Sequence, residues 1–225
     1  MIGYPNMAAM AALIADPVRA GMLYALMDGS ARSSSDLANL AGASPQAASN
    51  HLAKLLEGGL LKVKQSGRHR HYALKGPAIA HVLEALMAAS GSPEARGQRI
   101  DPALKQARRC YDHLAGSAGV AVLKALVGGG YLAADLDGYQ MTAKGRAWFE
   151  AAGIDVAGAE QATRTFARPC MDWTERRSHL AGSLGAGLLA ALTDRGCVRT
   201  ADVPRALTIT PKGRAFLKKS LGIAG

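Results

Sequence analysis

Apolar residues recur along this chain mostly at helical spacing, interrupted by short stretches of strict alternation. Residues 6 to 15 are apolar almost throughout. Asp16 is then a natural N-cap, and Pro17 sits in the first turn, where proline is best tolerated, so a second helix is expected to run to about Met27. Ser33-Ser34-Ser35-Asp36 offers capping oxygens to a short third helix, Asp36 to Leu40. Ser44 and Pro45 repeat the N-cap and N1 signal for a fourth, Pro45 to Glu57, in which Ala48, Leu52, Leu55 and Leu56 form one stripe. Gly58-Gly59 ends it. Leu60 to Lys64 alternates as a half-buried strand should, Gln65-Ser66-Gly67 is the turn, and Arg68 to Leu74 is the return strand. A last helix of this region, Pro77 to Ala89, carries the stripe Ile79, Val82, Leu83, Leu86 and Met87.

A short helix, a glycine-containing turn and a second polar-faced helix make a helix-turn-helix. Its second helix is expected in the major groove, with its first residues at base edges. Ser44, Pro45, Gln46, Ser49, Asn50, His51 and Lys54 are the candidates there. Gln46 and Asn50 share a face, and either amide suits a bidentate contact to adenine. The ribbon that follows has no acidic residue from Lys62 to Lys75, so it reads as a wing lying along phosphates, with Lys64, Arg68, His69 and Arg70 as contacts. Charge agrees: Lys and Arg number 27 against 17 Asp and Glu in 225 residues, a net +10, and a polyanion is the expected partner.

At this point the residues resemble a known family. Ala12-Leu13-Ile14-Ala15-Asp16-Pro17-Val18-Arg19, then Ser44 to Leu55, then Glu57-Gly58-Gly59-Leu60-Leu61 are similar to the winged-helix ArsR-type repressors. The resemblance covers Asn6 to about Ser90. It implies a homodimeric regulator, usually a repressor released from DNA by an effector, with the first helix and Pro77 to Ala89 building the dimer interface. Metal-sensing members of that family place a cysteine pair in the third helix, and Ser33 to Gly42 contains none. Another group draws Asp and His ligands from the last dimer helix, where this chain offers His81 without an acid at the expected spacing. Neither usual metal site is supported.

Gly91 to Gln98 is turn-rich and polar, which suggests a boundary between residues 1–91 and 92–225. The second part contains an internal repeat, about 104–156 and 164–225. Ala107-Arg108-Arg109-Cys110-Tyr111-Asp112 recurs as Ala167-Arg168-Pro169-Cys170-Met171-Asp172. HLAGSAGVAVLKAL from His113 matches HLAGSLGAGLLAAL from His179 at nine of fourteen positions, and Thr142-Ala143-Lys144-Gly145-Arg146-Ala147 recurs as Thr210-Pro211-Lys212-Gly213-Arg214-Ala215. Each unit reads as helix, long Gly/Ala-rich helix, strand, turn, strand and closing helix, with Thr142 and Thr210 as caps. The fold class expected is thus mainly α (α+β): a winged helix-turn-helix followed by a duplicated winged-helix-like helical domain.

The repeated cysteines are the sharpest chemistry in that half. On a continuous helix Cys110 and His113, three apart, share a face, whereas Cys170 and His179, nine apart, lie on opposite faces. Packing of the repeats about a pseudo-twofold would bring Cys110 and Cys170 together to form a disulfide, bind a thiophilic metal or arsenical with His113 or His179, or react with an electrophile. Arg108, Arg109 and Arg168 would favour thiolate, and Trp173, Tyr111 and Phe166 are candidates to line an organic-effector pocket. The competing reading is that these cysteines are small buried hydrophobes matched through duplication. Cys197 has no counterpart.

Several classes drop out. Three widely spaced cysteines do not make a disulfide scaffold, and the N-terminus lacks a basic n-region. His179 to Leu192 is too short to span a bilayer. A soluble, cytoplasmic protein is expected. No glycine-rich phosphate loop, GxSxG elbow or HExxH is present, so a thiol-dependent enzyme ranks below a regulator. The expected function is a sequence-specific DNA-binding transcriptional regulator, homodimeric, on an inverted-repeat operator in double-stranded DNA. It would be released by a thiol-reactive, oxidant, metal, metalloid or small-molecule effector sensed in the C-terminal half. The alternative is a constitutive DNA binder without effector.

Overall fold

The computed structural model describes residues 6–67, 69–91, 97 and 99–223. By packing, the chain divides into two units, Met1–Leu83 and Glu84–Gly225. The polar stretch 91–98 that the sequence suggests as a boundary lies mostly outside the described residues.

The first unit runs α1 (Met7–Ile14), α2 (Pro17–Ala25), β1 (Arg32–Ser33), α3 (Ser34–Leu40), α4 (Pro45–Glu57), β2 (Leu61–Ser66), β3 (His69–Leu74) and into α5 (Pro77–Ala89). The caps are those the sequence signals: Asp16 accepts from Arg19 N and Ser44 from Ala47 N. Ser33 does more than cap. It closes a capping box with Asp36 and also pairs with His71, so β1 adds a third strand to the wing in the order β1-β3-β2. The ribbon extends farther than the sequence suggests, with Gln65 opposite Arg70 and Ser66 opposite His69. Leu23, Leu26, Leu37, Leu52, Leu55, Leu60 and Leu74 are buried. The apolar stripe of α4 therefore faces the core, and its polar face is left outside.

The second unit continues with α6 (Pro102–Gln106), then β4 (Arg108–Cys110), β5 (His113–Ala115), α7 (Gly116–Gly128), β6 (Leu132–Asp135), β7 (Gly138–Met141) and α8 (Ala143–Ala151). After α9 (Val156–Gln161) the same order recurs as β8 (Arg168–Met171), β9 (Ser178–Ala181), α10 (Gly182–Asp194), β10 (Val198–Thr200), β11 (Leu207–Ile209) and α11 (Pro211–Leu221). Thr142 and Thr210 cap α8 and α11 by accepting from Gly145 N and Gly213 N.

One expectation is overturned. The stretches carrying the cysteines are not helices but antiparallel hairpins, in which Cys110 lies opposite His113 and Cys170 opposite His179. The extra residues of the second copy form a longer hairpin loop, 172 to 177, and leave the pairing untouched. Helical spacing was the wrong ruler, and the two Cys–His pairs are equivalent.

The copies interlock. Tyr139 N, in the first copy's ribbon, donates to Ala167 O, just before the second copy's cysteine hairpin; Leu207 N donates to Ala107 O in the mirrored sense. Leu123, Leu126, Leu188, Leu189 and Leu192 of the two long helices share one core with Phe149. The glycines of these helices permit a close approach. A Cβ on Gly119 would lie 2.4 Å from Leu114 O and 3.3 Å from His179 Cβ, and one on Gly185 would lie 2.5 Å from Leu180 O and 3.4 Å from His113 Cβ. Each histidine thus leans on the other copy's helix.

Candidate functional site

Two surfaces of different character carry the chemistry, one in each unit. In the first, α4 presents Ser44, Pro45, Gln46, Ser49, Asn50 and Lys54 to solvent. Gln46 Nε2 donates to Asn50 Oδ1 at 3.3 Å, so the two amides form one pre-aligned polar surface on successive turns. His51 is turned inward: its Nδ1 stands 3.4 Å from an Arg19 Nη1 and 3.7 Å from Asp16 Oδ1. On the wing, Lys64 and Arg70 are exposed, and the Arg70 guanidinium lies over the Tyr72 ring at 5.6 Å. Arg68 lies outside the described residues, and His69 is described by its backbone only.

In the second unit the structure brings together residues that the sequence holds far apart. Cys110, His113, Cys170 and His179 are all buried, and one ligand atom from each lies within 4.8 Å of every other. β4, β5, β8 and β9 each supply one of them. The imidazoles face each other, Nε2 to Nε2 at 3.2 Å. Behind them each Nδ1 meets a carboxylate of its own hairpin: His113 Nδ1 is 3.2 Å from Asp112 Oδ1, and His179 Nδ1 is 3.2 Å from Asp172 Oδ2. The second contact has ion-pair distance but is not aligned as a hydrogen bond. Glu84, buried at the start of this unit, accepts from both thiols, Cys110 Sγ at 3.2 Å and Cys170 Sγ at 3.3 Å.

Each acid around the centre is paired with an arginine. Asp172 accepts from Arg108 Nη2 at 2.7 Å, from Gly116 N at 2.7 Å and from Thr174. Arg164 pairs with Asp112, and Arg168 with Glu84 at 3.3 Å. These contacts set the proton affinities. Burial alone would raise Asp172, but His179 and Arg108 hold it well below the usual carboxylate range. Burial opposes Asp112 ionisation too, yet His113 and Arg164 lower it to about 2. His113 is pulled down by burial, but its contacts with Asp112 and Cys110 outweigh that and raise it to about 9.

The adjacent Cys170 thiol, burial and the Glu84 charge push the Cys110 thiol up to about 12. This reverses the expectation that nearby arginines favour thiolate, because Arg108 and Arg168 are spent elsewhere. Arg108 faces Asp172 and stacks over Trp173 at 4.4 Å, and Arg168 faces Glu84. Trp173 belongs to that ion-pair side rather than to the four ligand atoms. Phe166 packs against the main core, where Cys197 is also buried. Glu84 was missed by sequence reasoning: it lies at a helix position with no motif around it, and only its contacts reveal it.

A family described as "Helix-turn-helix domain" matches residues 14–64. Over 223 residues the chain is 38% identical to the "Uncharacterized HTH-type transcriptional regulator YdfF" of Bacillus subtilis (strain 168), covering 97% of this chain and 98% of that protein. The chain belongs to the helix-turn-helix (HTH-type) transcriptional regulators. The match to YdfF runs through both units. Solved structures with similarity include the AntR antimony-specific transcriptional repressor, 28% identical over 41% of this chain and 81% of that one, TM-score 0.36. The cadmium metal-sensor CMTR from Mycobacterium tuberculosis is 35% identical over 35% of this chain and 78% of that one, TM-score 0.29. Among the described residues no helix of this HTH-type regulator is long and apolar enough to cross a membrane.

Proposed function

We propose that this regulator reads an inverted-repeat operator as a homodimer and releases it when an effector is sensed in residues 92–225. The observation that carries the DNA reading is the exposed Gln46–Asn50 surface on α4 beside the acid-free ribbon. Gln46 and Asn50 would discriminate bases, while Ser44, Ser49, Lys54, Lys64, Arg68, His69 and Arg70 would fix the protein on phosphates. A twofold dimer sets half-sites about one helical turn apart, roughly 34–36 Å.

The uncovered apolar helices favour the dimer. α1 is MAAMAALI and buries none of its residues, and α5 leaves Val82 and Leu86 exposed at 43% and 47%. A second copy is the partner that the family resemblance implies for these faces. Sedimentation of the full chain checks this: a monomer at micromolar concentration overturns the dimer.

What supports an input in the second unit is the convergence of thiols, imidazoles and a carboxylate in one buried centre there. The competing reading, a constitutive DNA binder, predicts operator affinity indifferent to oxidant, metal and small molecules. A gel-shift of wild type against Cys110→Ser and Cys170→Ser, with oxidant, Zn²⁺, arsenite and reductant, separates the two. Affinity that changes with one of these agents and loses that change in the variants supports sensing. Affinity that never changes leaves the constitutive reading.

A further inference from the structure

We propose that Cys110 Sγ, His113 Nε2, Cys170 Sγ and His179 Nε2 form a single four-coordinate site for a divalent d¹⁰ cation, Zn²⁺ in the first instance. The site binds its ion whether or not the DNA reading above holds, and it is read without DNA.

Four observations carry it. The donor set is two sulfurs and two nitrogens converging within 4.8 Å of one another, and tetrahedral S₂N₂ is the set that selects zinc among biological metals. With Zn–N bonds of about 2.0–2.1 Å, two nitrogens on a tetrahedral ion stand roughly 3.3–3.4 Å apart. The two Nε2 atoms are already 3.2 Å apart. A two-iron cluster would divide the cysteines and histidines between its irons, which requires the nitrogen pair and the sulfur pair to stand apart. Here they do not.

The second observation is what lies behind the imidazoles. Each Nδ1 faces a carboxylate, Asp112 or Asp172, so each ring turns its other nitrogen inward. A carboxylate behind a histidine fixes the ring and its tautomer for metal binding. With both Nδ1 atoms protonated, two Nε2 lone pairs point at each other and need a cation between them, a proton or a metal.

Charge gives the third. Two thiolates and two neutral imidazoles around a dication sum to zero. The three surrounding acids are already matched by Arg164, Arg108 and Arg168. A monovalent ion would leave a buried net negative charge, which is costly. Arsenite prefers a third thiolate, and the remaining cysteine, Cys197, is buried in the other core cluster. On binding, the hydrated ion gives up its water ligands to solvent for two Zn–S and two Zn–N bonds. The two thiol protons and the proton between the histidines leave to solvent, and Glu84 loses its thiol donors while keeping its Arg168 ion pair.

The duplication gives the fourth. Each copy supplies one cysteine, one histidine and the aspartate behind it, from the matched positions Cys110, His113, Asp112 and Cys170, His179, Asp172. A site on the pseudo-twofold explains why both copies keep the set together.

The test is a Co²⁺ titration of the full-length chain, stripped with chelator under reductant. The expected result is saturation at one ion per chain, with intense tetrahedral d–d bands and sulfur-to-cobalt charge transfer, displaced stoichiometrically by Zn²⁺. Cys110→Ser and Cys170→Ser should lose the charge-transfer band, Cys197→Ser should keep it, and Asp112→Asn should weaken affinity about 10–100-fold. X-ray absorption on the zinc-loaded wild type requires no variant. Two sulfurs at about 2.3 Å and two nitrogens at about 2.0–2.1 Å are expected. Octahedral cobalt, zinc bound by oxygen and nitrogen alone, or charge transfer that vanishes in Cys197→Ser would each overturn the site.

Discussion

The two units place their polar chemistry in opposite environments. In the first, the groups that matter sit on the outside of an ordinary leucine core, and the ion pair Arg32–Asp28 is partly wet, with side chains 24% and 14% exposed. In the second, charged and titratable groups occupy the middle: Arg108 and Asp172 are fully buried, and a ring of thiol, imidazole and carboxylate surrounds the junction of two hairpins. The difference teaches where function and stability separate. Polar substitutions on the first unit should alter what is bound, whereas those in the second should first alter whether it folds.

The sharpest way to break that contrast is Arg108→Met. It leaves Asp172 buried without its guanidinium and should cost about 3–5 kcal/mol in urea unfolding. Arg32→Ala, the counterpart pair in the first unit, should cost no more than about 1 kcal/mol. A similar cost for both would erase the distinction between the units. Next in size are Gly119→Ala and Gly185→Ala. The added carbon meets backbone carbonyls at 2.4 and 2.5 Å, so each should destabilise by about 1–3 kcal/mol, read by thermal unfolding.

Gln46→Ala tests the opposite side of the comparison. Stability should change by less than about 0.5 kcal/mol, while discrimination at one base position falls by about 1–3 kcal/mol in competition binding. Arg70→Ala should weaken all sequences alike and reduce the salt slope by about 1. Smaller still are the caps shared by the copies. Thr142→Ala and Thr210→Ala should each cost about 1 kcal/mol, and near-equal values would support equivalent roles in the two repeats.

The gentlest probe is pH. The folded His113 value, about 9, lies above the ordinary 6.5, so its contribution is fully present below 6.5 and fades as pH rises through about 9. The melting temperature of the metal-free chain should therefore fall across that window, and His113→Gln should flatten this part of the profile.

Much of this molecule is legible in the residues. Ser44, Pro45 and Gly58 bracket α4 because capping and proline placement act within a single turn, and the observed Pro45–Glu57 has those bounds. Thr142 and Thr210 announce α8 and α11 in the same local way, and the repeat is visible because duplication copies sequence directly. The cysteine hairpins were hidden. Tyr111 occupies the first hairpin's turn at φ +58°, a left-handed position where glycine or asparagine would have been the signal, and a Cys–His spacing of three fits a helix face equally well. Sequence alone thus determined the caps, the wing and which positions of one copy correspond to which of the other. Only tertiary structure decided that four ligand atoms and Glu84 share one centre. That outcome depends on two hairpins meeting across a pseudo-twofold and on Gly119 and Gly185 letting each histidine reach the other copy, contacts that no local pattern encodes.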